Sequence, residues 1–259
     1  MPEKLSQADL VAEARRIVSA AAAADVTLRL LGGIAVRLHC PSTAVSAPFA
    51  RPINDIDLIG LGRDSGRIKQ VFVDLGYTPH RHFNAVHGRT RLFFQDPVRA
   101  LTVDVFLDRF IMCHTFDFRD RLAADTNGLT LCPADLLFTK LQIVELNDRD
   151  IRDILALICD HELSSADEPE PETIDVSHIV RLCARDWGLE KTCLHTLEWA
   201  QSAIEQHVED ALLAERVRQR LSALAKAIVS QPKAYRWRLR AIFGERLPWY
   251  ELPEKPIGR

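Results

Sequence analysis

No stretch of this 259-residue chain approaches the roughly 20 consecutive apolar residues that a membrane-spanning helix requires. The opening residues, MPEKLSQADL, lack a basic segment followed by an apolar one, so no secretory signal is expected and the cytoplasm is the expected compartment. The six cysteines, Cys40, Cys113, Cys132, Cys159, Cys183 and Cys193, include no CxxC pair. Their scatter predicts reduced thiols packed as small hydrophobes, not a disulfide framework or a zinc site. Positive charge is not in excess: the net charge is -3, which excludes a strongly basic nucleic-acid binder. Internal repeats are absent, and compositional bias is confined to the acidic, Pro-containing SSADEPEPET at 164–173.

What is present is the composition of a folded, water-facing protein, 47% apolar and 27% charged. Apolar spacing predicts a helix over about 5–25, then a strand in VTLRLLGG and a helix in IAVRLHC, closed by Pro41. Residues 41–54 read as a loop, IDLIGLG as a buried strand, and 65–76 as a helix ending at Gly76. Three β-rich runs follow, YTPHRHF, RTRLFFQ and LTVDVFL. The expected fold class is α+β (α/β): a mixed-sheet domain over 1–131 and a mainly helical domain over 132–259. The helical part is read from ADLLFTKLQIVEL, DRDIRDILALICDHEL and most of 174–230, with 164–173 as an acidic linker or loop.

The chemistry concentrates in three acids. Asp55 and Asp57 alternate on one strand, so both carboxylates face one side while Ile56 and Leu58 face the other. Two such carboxylates repel unless a cation lies between them, and an all-oxygen donor set suits Mg²⁺ shared with phosphates. Asp104 sits in the apolar run LTVDVFL, where an unpartnered acid is costly to bury. A strand alongside Asp55 and Asp57 would supply that partner. Gly32-Gly33, between a strand and a helix, lets backbone N–H groups approach a triphosphate at a helix N-terminus.

These residues, LLGGIAVRLH, RPINDIDLIG and LTVDVF, resemble the nucleotidyltransferase superfamily that includes DNA polymerase β, and within it the AbiEii-like toxin group. The resemblance spans about residues 27–160 and takes in ADLLFTKLQIVELNDRDIRDILAL. It implies a nucleotidyltransferase domain with a helical domain, two Mg²⁺ ions (or Mn²⁺), and a nucleoside triphosphate donor such as ATP. By residue, it implies metal-binding and catalytic roles for Asp55, Asp57 and Asp104. It implies nucleotide contacts for Gly32, Gly33, Arg51, Lys140, Asp150 and Asp153. The 21 residues between Gly33 and Asp55 exceed the compact superfamily spacing, and Ile53 stands where that group often has Thr.

The expected activity is metal-dependent transfer of a nucleoside monophosphate to a hydroxyl acceptor, with release of pyrophosphate. Candidate acceptors are RNA, including a tRNA end, a protein side chain, or a small molecule such as an aminoglycoside; the toxin-like resemblance also implies an antitoxin partner. The alternative is a catalytically inactive nucleotide- or RNA-binding partner on the same fold. Asp150 and Asp153 also fit a solvated face paired with Arg149 and Arg152. His80, His82 and His87 are expected to be satisfied or exposed histidines rather than metal ligands, with His80 and His82 on one strand face. Arg89 and Arg91 fit either a phosphate contact or a polar strand face. The C-terminal YRWRLRAIF is expected to dock on the core through Trp237 and Phe243, although its aromatics and cations also suit a nucleic-acid surface.

Overall fold

The computed structural model describes residues 5–124, 128–167 and 170–252. Helix α1 (Gln7–Ala23) starts at Ser6, whose hydroxyl accepts from the Asp9 amide, an N-cap that satisfies one of the helix's orphan donors. Strand β1 (Leu28–Leu31) runs straight into α2 (Gly32–His39), and β2 (Asp55–Gly60) precedes α3 (Ser65–Asp74). There follow β3 (Thr78–Pro79), α4 (Arg81–His87), β4 (Arg91–Asp96) and β5 (Leu101–Leu107). These strands form one mixed sheet in the order β1-β2-β5-β4-β3. Only β2 and β5 pair in parallel.

The expected α+β class with a mixed sheet is what the chain adopts. Within the sheet, one element differs. The run YTPHRHF was expected as a strand but gives only the two-residue β3, after which His80 caps α4 by accepting from the Phe83 amide. His80 and His82 therefore do not share a strand face. The cap is a local hydrogen bond that competes with the ladder, and period-two patterning does not register it.

Beyond the sheet come the hairpin β6 (Arg109–Ile111) and β7 (Thr115–Asp117), then α5 (Arg119–Ala124). Helix α6 (Pro133–Leu141) begins with proline, whose missing N–H costs nothing at that position, and ends well before Leu146. Helix α7 (Asp148–Asp160) is capped by Asn147, which accepts from the Arg149 and Asp150 amides. Strand β8 (Leu163–Ser164) pairs in parallel with β9 (Ile174–Asp175). Of the acidic segment expected as a linker or loop, residues 168 and 169 lie outside the described residues.

There follow α8 (Val176–Cys183), α9 (Trp187–Ser202), α10 (Ile204–His207), α11 (Ala211–Ser230) and α12 (Tyr235–Phe243). Helix α2 packs against both α6 and α7, so the helical part lies directly behind the strand-to-helix turn at Gly32. One continuous set of buried residues runs from Leu10 through Ile56 and Val105 to Leu155 and Leu221. The C-terminal helix departs from expectation. No residue of α12 is buried, and Phe243 is exposed. It lies against α9 with Trp237 only half-buried beneath the Lys233 ammonium.

On the far side of the sheet, Glu13 of α1 is buried in a cationic and phenolic cage. It accepts from Arg16 at 2.7 and 2.8 Å, Arg99 at 3.0 Å and Tyr77 at 2.6 Å. Burial alone would raise its pKa; the Arg16, Arg99 and Tyr77 hydrogen bonds overcome that and hold it at about 2.

Candidate active site

The parallel pairing of β2 with β5 sets the centre. In its register Asp57 stands directly beside Asp104, and Leu31 stands opposite Asp57 on the other side. Register partners in a sheet point to the same face, so the two carboxylates are neighbours. Asp55 lies two residues back on that face, half-buried at the start of β2. Asp104 is the most enclosed, at 1% exposure.

Asp104 is held by Arg91 of β4. Its Oδ1 accepts from Arg91 Nε at 2.7 Å, and its Oδ2 accepts from Nη2. Such a fork is the strong geometry for a carboxylate and guanidinium. The Arg91 guanidinium also lies 4.8 Å from the Phe106 ring centroid and 5.6 Å from that of Phe83. A carboxylate offers about four lone-pair sites and the fork takes two of them, so ion pairing and metal ligation can coexist at Asp104.

The glycine pair is a steric necessity. Gly32 has φ +66, and a Cβ there would lie 2.3 Å from Asp57 Oδ2. A Cβ on Gly33 would lie 2.5 Å from Arg51 Nη2. Removing both side chains lets β1 turn into α2 against the acid on one side and the guanidinium on the other. The amino end of α2, with its partial positive charge, thus opens beside Asp57.

Behind the turn lies a buried charge network. Arg51 donates to Asp153 through Nε at 2.9 Å and Nη2 at 2.6 Å. Lys140 of α6 reaches Asp153 at 2.8 Å and Asp150 at 3.0 Å. Burial pulls the Lys140 pKa down, but Asp153 and Asp150 outweigh it and the net shift is upward. Burial likewise pushes Asp153 up, and Lys140 and Arg51 bring it below the usual carboxylate range. Asp150 and Asp153 are therefore not a solvated face; both are buried on Lys140, while Arg152 pairs with Asp148 instead.

A cavity of about 490 Å³ joins these parts. Gly32, Asp57, Asp104, Lys140 and Asp150 line it, whereas Gly33, Arg51 and Asp153 stand behind it in a tighter crevice. The walls include residues that sequence reasoning passed over: Phe106, Phe110 and Met112 form an apolar side, and Asn147 lies at the start of α7 beside Arg149, which was expected only as an ion-pair partner. Arg91 was left between two roles by its strand alternation; the cross-strand diagonal to Asp104 becomes visible only once β4 and β5 are paired. His80, His82 and His87 do not line this cavity.

The donor set fits a hard divalent cation. Asp57 and Asp104 supply oxygen ligands side by side, and the side chain that would crowd Asp57 is absent at Gly32. With the amino end of α2 and Lys140 nearby, the arrangement can gather a polyanion against a pair of carboxylates.

No family model matches the chain, and no curated protein matches it. Among the solved structures similar to it are the following two. The antibiotic-resistance factor ANT(2'')-Ia, in solution, is 12% identical with a TM-score of 0.41, covering 59% of this chain and 84% of its own. An antigenic nucleotidyltransferase-like protein from Paracoccidioides brasiliensis is 16% identical with a TM-score of 0.43, covering 89% of this chain and 96% of its own.

Proposed function

We propose that the chain transfers a nucleoside monophosphate from a nucleoside triphosphate to a hydroxyl acceptor and releases pyrophosphate. The observation that carries this reading is the register of β2 and β5, which puts Asp57 beside Asp104 at a cavity that also holds Gly32 and Lys140. Asp55, Asp57 and Asp104 would hold the divalent ions, Mg²⁺ or Mn²⁺. When bound, those ions supply Lewis-acid stabilisation of charge at the attacking and leaving oxygens.

The chain's own residues do the rest. Backbone N–H groups at the amino end of α2 serve the phosphates, with Gly32 at the cavity wall and Gly33 directly behind it. Lys140, fixed by Asp150 and Asp153, presents a positive charge to the β- or γ-phosphate. Arg51 acts through Asp153, keeping that acid in place for Lys140. Phe106, Phe110 and Met112 offer the nucleoside an apolar wall. Asp104, oriented by Arg91, takes the proton of the attacking hydroxyl.

The acceptor classes are RNA, including a tRNA end, a protein side chain, and a small polyhydroxylated molecule such as an aminoglycoside. An AbiEii-like toxin role with an antitoxin partner belongs to the first of these. In this reading the catalytic part spans 1–131 and the helical part 132–259, from which Lys140, Asn147 and Asp150 line the cavity.

One observation favours a second reading. Arg91 neutralises Asp104, as it would in a nucleotide- or RNA-binding protein without turnover. The two separate by experiment. Protein, Mg²⁺ and each labelled triphosphate are incubated with total RNA, proteins and small acceptors, beside Asp57→Ala. Label transfer that vanishes in the variant supports the enzyme; triphosphate binding with no transfer to any acceptor supports the binding protein.

A further inference from the structure

At the ends of α2 and α7 remote from the cavity, three side chains converge. Ligand atoms of His39, His161 and Glu172 all lie within 4.8 Å of one another. His39 is the last residue of α2, His161 follows the last residue of α7, and Glu172 comes from the acidic segment. We propose that they bind a transition-metal ion of the zinc class, and that Cys40, which lies outside this group but next to His161, is drawn in as fourth ligand.

The hydrogen bonds fix the tautomer of His161 and accommodate the metal-binding tautomer of His39. His39 Nε2 lies 2.7 Å from Thr130 Oγ1 and 3.0 Å from the Leu131 carbonyl, and in the metal-binding tautomer its proton goes to these acceptors. His39 Nδ1 then turns its lone pair to Glu172 Oε2 at 3.2 Å. His161 Nδ1 donates to the Glu172 carbonyl at 2.7 Å, which leaves Nε2 as its ligating nitrogen. That nitrogen is 3.8 Å from Cys40 Sγ. In these tautomers each imidazole is oriented by an N–H to a backbone carbonyl, the usual support of a metal-binding histidine.

Without metal, the Thr130 hydroxyl can donate to His39 Nε2 while Nδ1–H donates to Glu172. With Nε2 protonated instead, the Nδ1 lone pair, Glu172 and His161 Nε2 are left as ligands for a metal ion. Two features favour the metal. The carboxyl ends of two helices meet here, and their partial negative charges attract a cation. The donors are imidazole, thiol and carboxylate, a set suited to tetrahedral Zn²⁺ and not to Mg²⁺. Burial raises the Cys40 thiol pKa, yet a coordinated zinc ion removes that proton outright. The ion would tie α2, whose other end carries Gly32, to α7, whose other end carries Asp150.

The test uses the whole chain stripped of metal with a chelator and titrated with Zn²⁺ and Co²⁺. The expected result is one site per chain, a rise in the unfolding midpoint with Zn²⁺, and the intense visible absorption of tetrahedral Co²⁺. A near-ultraviolet thiolate-to-cobalt band is expected as well, absent in Cys40→Ser. Glu172→Gln and His39→Gln should each weaken binding at least tenfold; Glu172 is exposed, so its variant should retain the metal-free midpoint. Lack of Co²⁺ absorption together with lack of a Zn²⁺-dependent midpoint overturns the site, as does undiminished affinity in both variants. A cobalt spectrum without the thiolate band overturns the part given to Cys40. None of these readouts depends on nucleotidyl transfer.

Discussion

Arg91 and Asp104 are joined by a two-point ion pair across neighbouring antiparallel strands, with Nε donating to Oδ1 at 2.7 Å and Nη2 donating to Oδ2. The pair fixes the plane of the carboxylate that stands beside Asp57. Arg91 is accordingly a positioning residue, and its geometry matters more than its charge. Arg91→Lys keeps the charge but loses the planar fork. The expected result is a fall in transfer rate of about 10–100-fold, the range for partners that orient a metal ligand. The Mg²⁺ concentration for half-maximal rate should rise with it. A purely structural role would lower folding stability and leave the Mg²⁺ dependence unmoved.

Gly32 is expected to tolerate no side chain. At φ +66, alanine costs about 1–3 kcal/mol in backbone strain alone. Its Cβ would also drive Asp57 from its place. Denaturant unfolding of Gly32→Ala should show that loss, and calorimetry should show weakened triphosphate binding.

Lys140→Met should destabilise the fold by about 3–5 kcal/mol, because a buried carboxylate is left without its cation. Asp153 retains Arg51, so the deficit falls chiefly on Asp150. The double variant Lys140→Met with Asp150→Asn should recover part of the loss in urea unfolding, while triphosphate affinity stays low. Recovery of both would assign Lys140 to the fold alone.

Acid stability should depend on Glu13. Its folded pKa of about 2 lies below the usual carboxylate value, so its contribution is present above that usual value. The contribution is lost as the pH falls from there toward about 2. Glu13→Gln should flatten the acid limb of the unfolding curve in that window, at the cost of lower stability near neutrality. An unchanged acid limb would show that the Arg16, Arg99 and Tyr77 cage does not control it.

The legible parts of the chain are those where a short-range pattern carries the physics. Alternation in DIDLIG shows that Asp55 and Asp57 share a strand face, and the GG pair marks a turn that demands no Cβ. Pairing across elements has no such local sign. Nothing in RTRLFFQ says that Arg91 reaches diagonally to Asp104, because that contact exists only after β4 and β5 take their register. Asp150 and Asp153 look like a solvated helix face at their spacing. Their burial follows from α7 packing on α2 and α6, which turns that face to Lys140. The helix at 81–87 was hidden for a different reason: a side-chain cap at His80 outweighs the β-rich composition of YTPHRHF. His39 and His161 were not singled out, since their neighbourhood is made by two helix ends far apart in sequence.

The parallel alignment of β2 with β5 has a kinetic consequence. A shift of one residue would set Val103 or Val105 beside Asp57 and send Asp104 to the opposite face. Two strands running the same way need a long crossover, so this alignment is a slow, non-local event in folding. Helices can form without it. During refolding, ellipticity should therefore return ahead of competence to bind triphosphate, and the delay between the two signals would time the moment at which the strands find their registration.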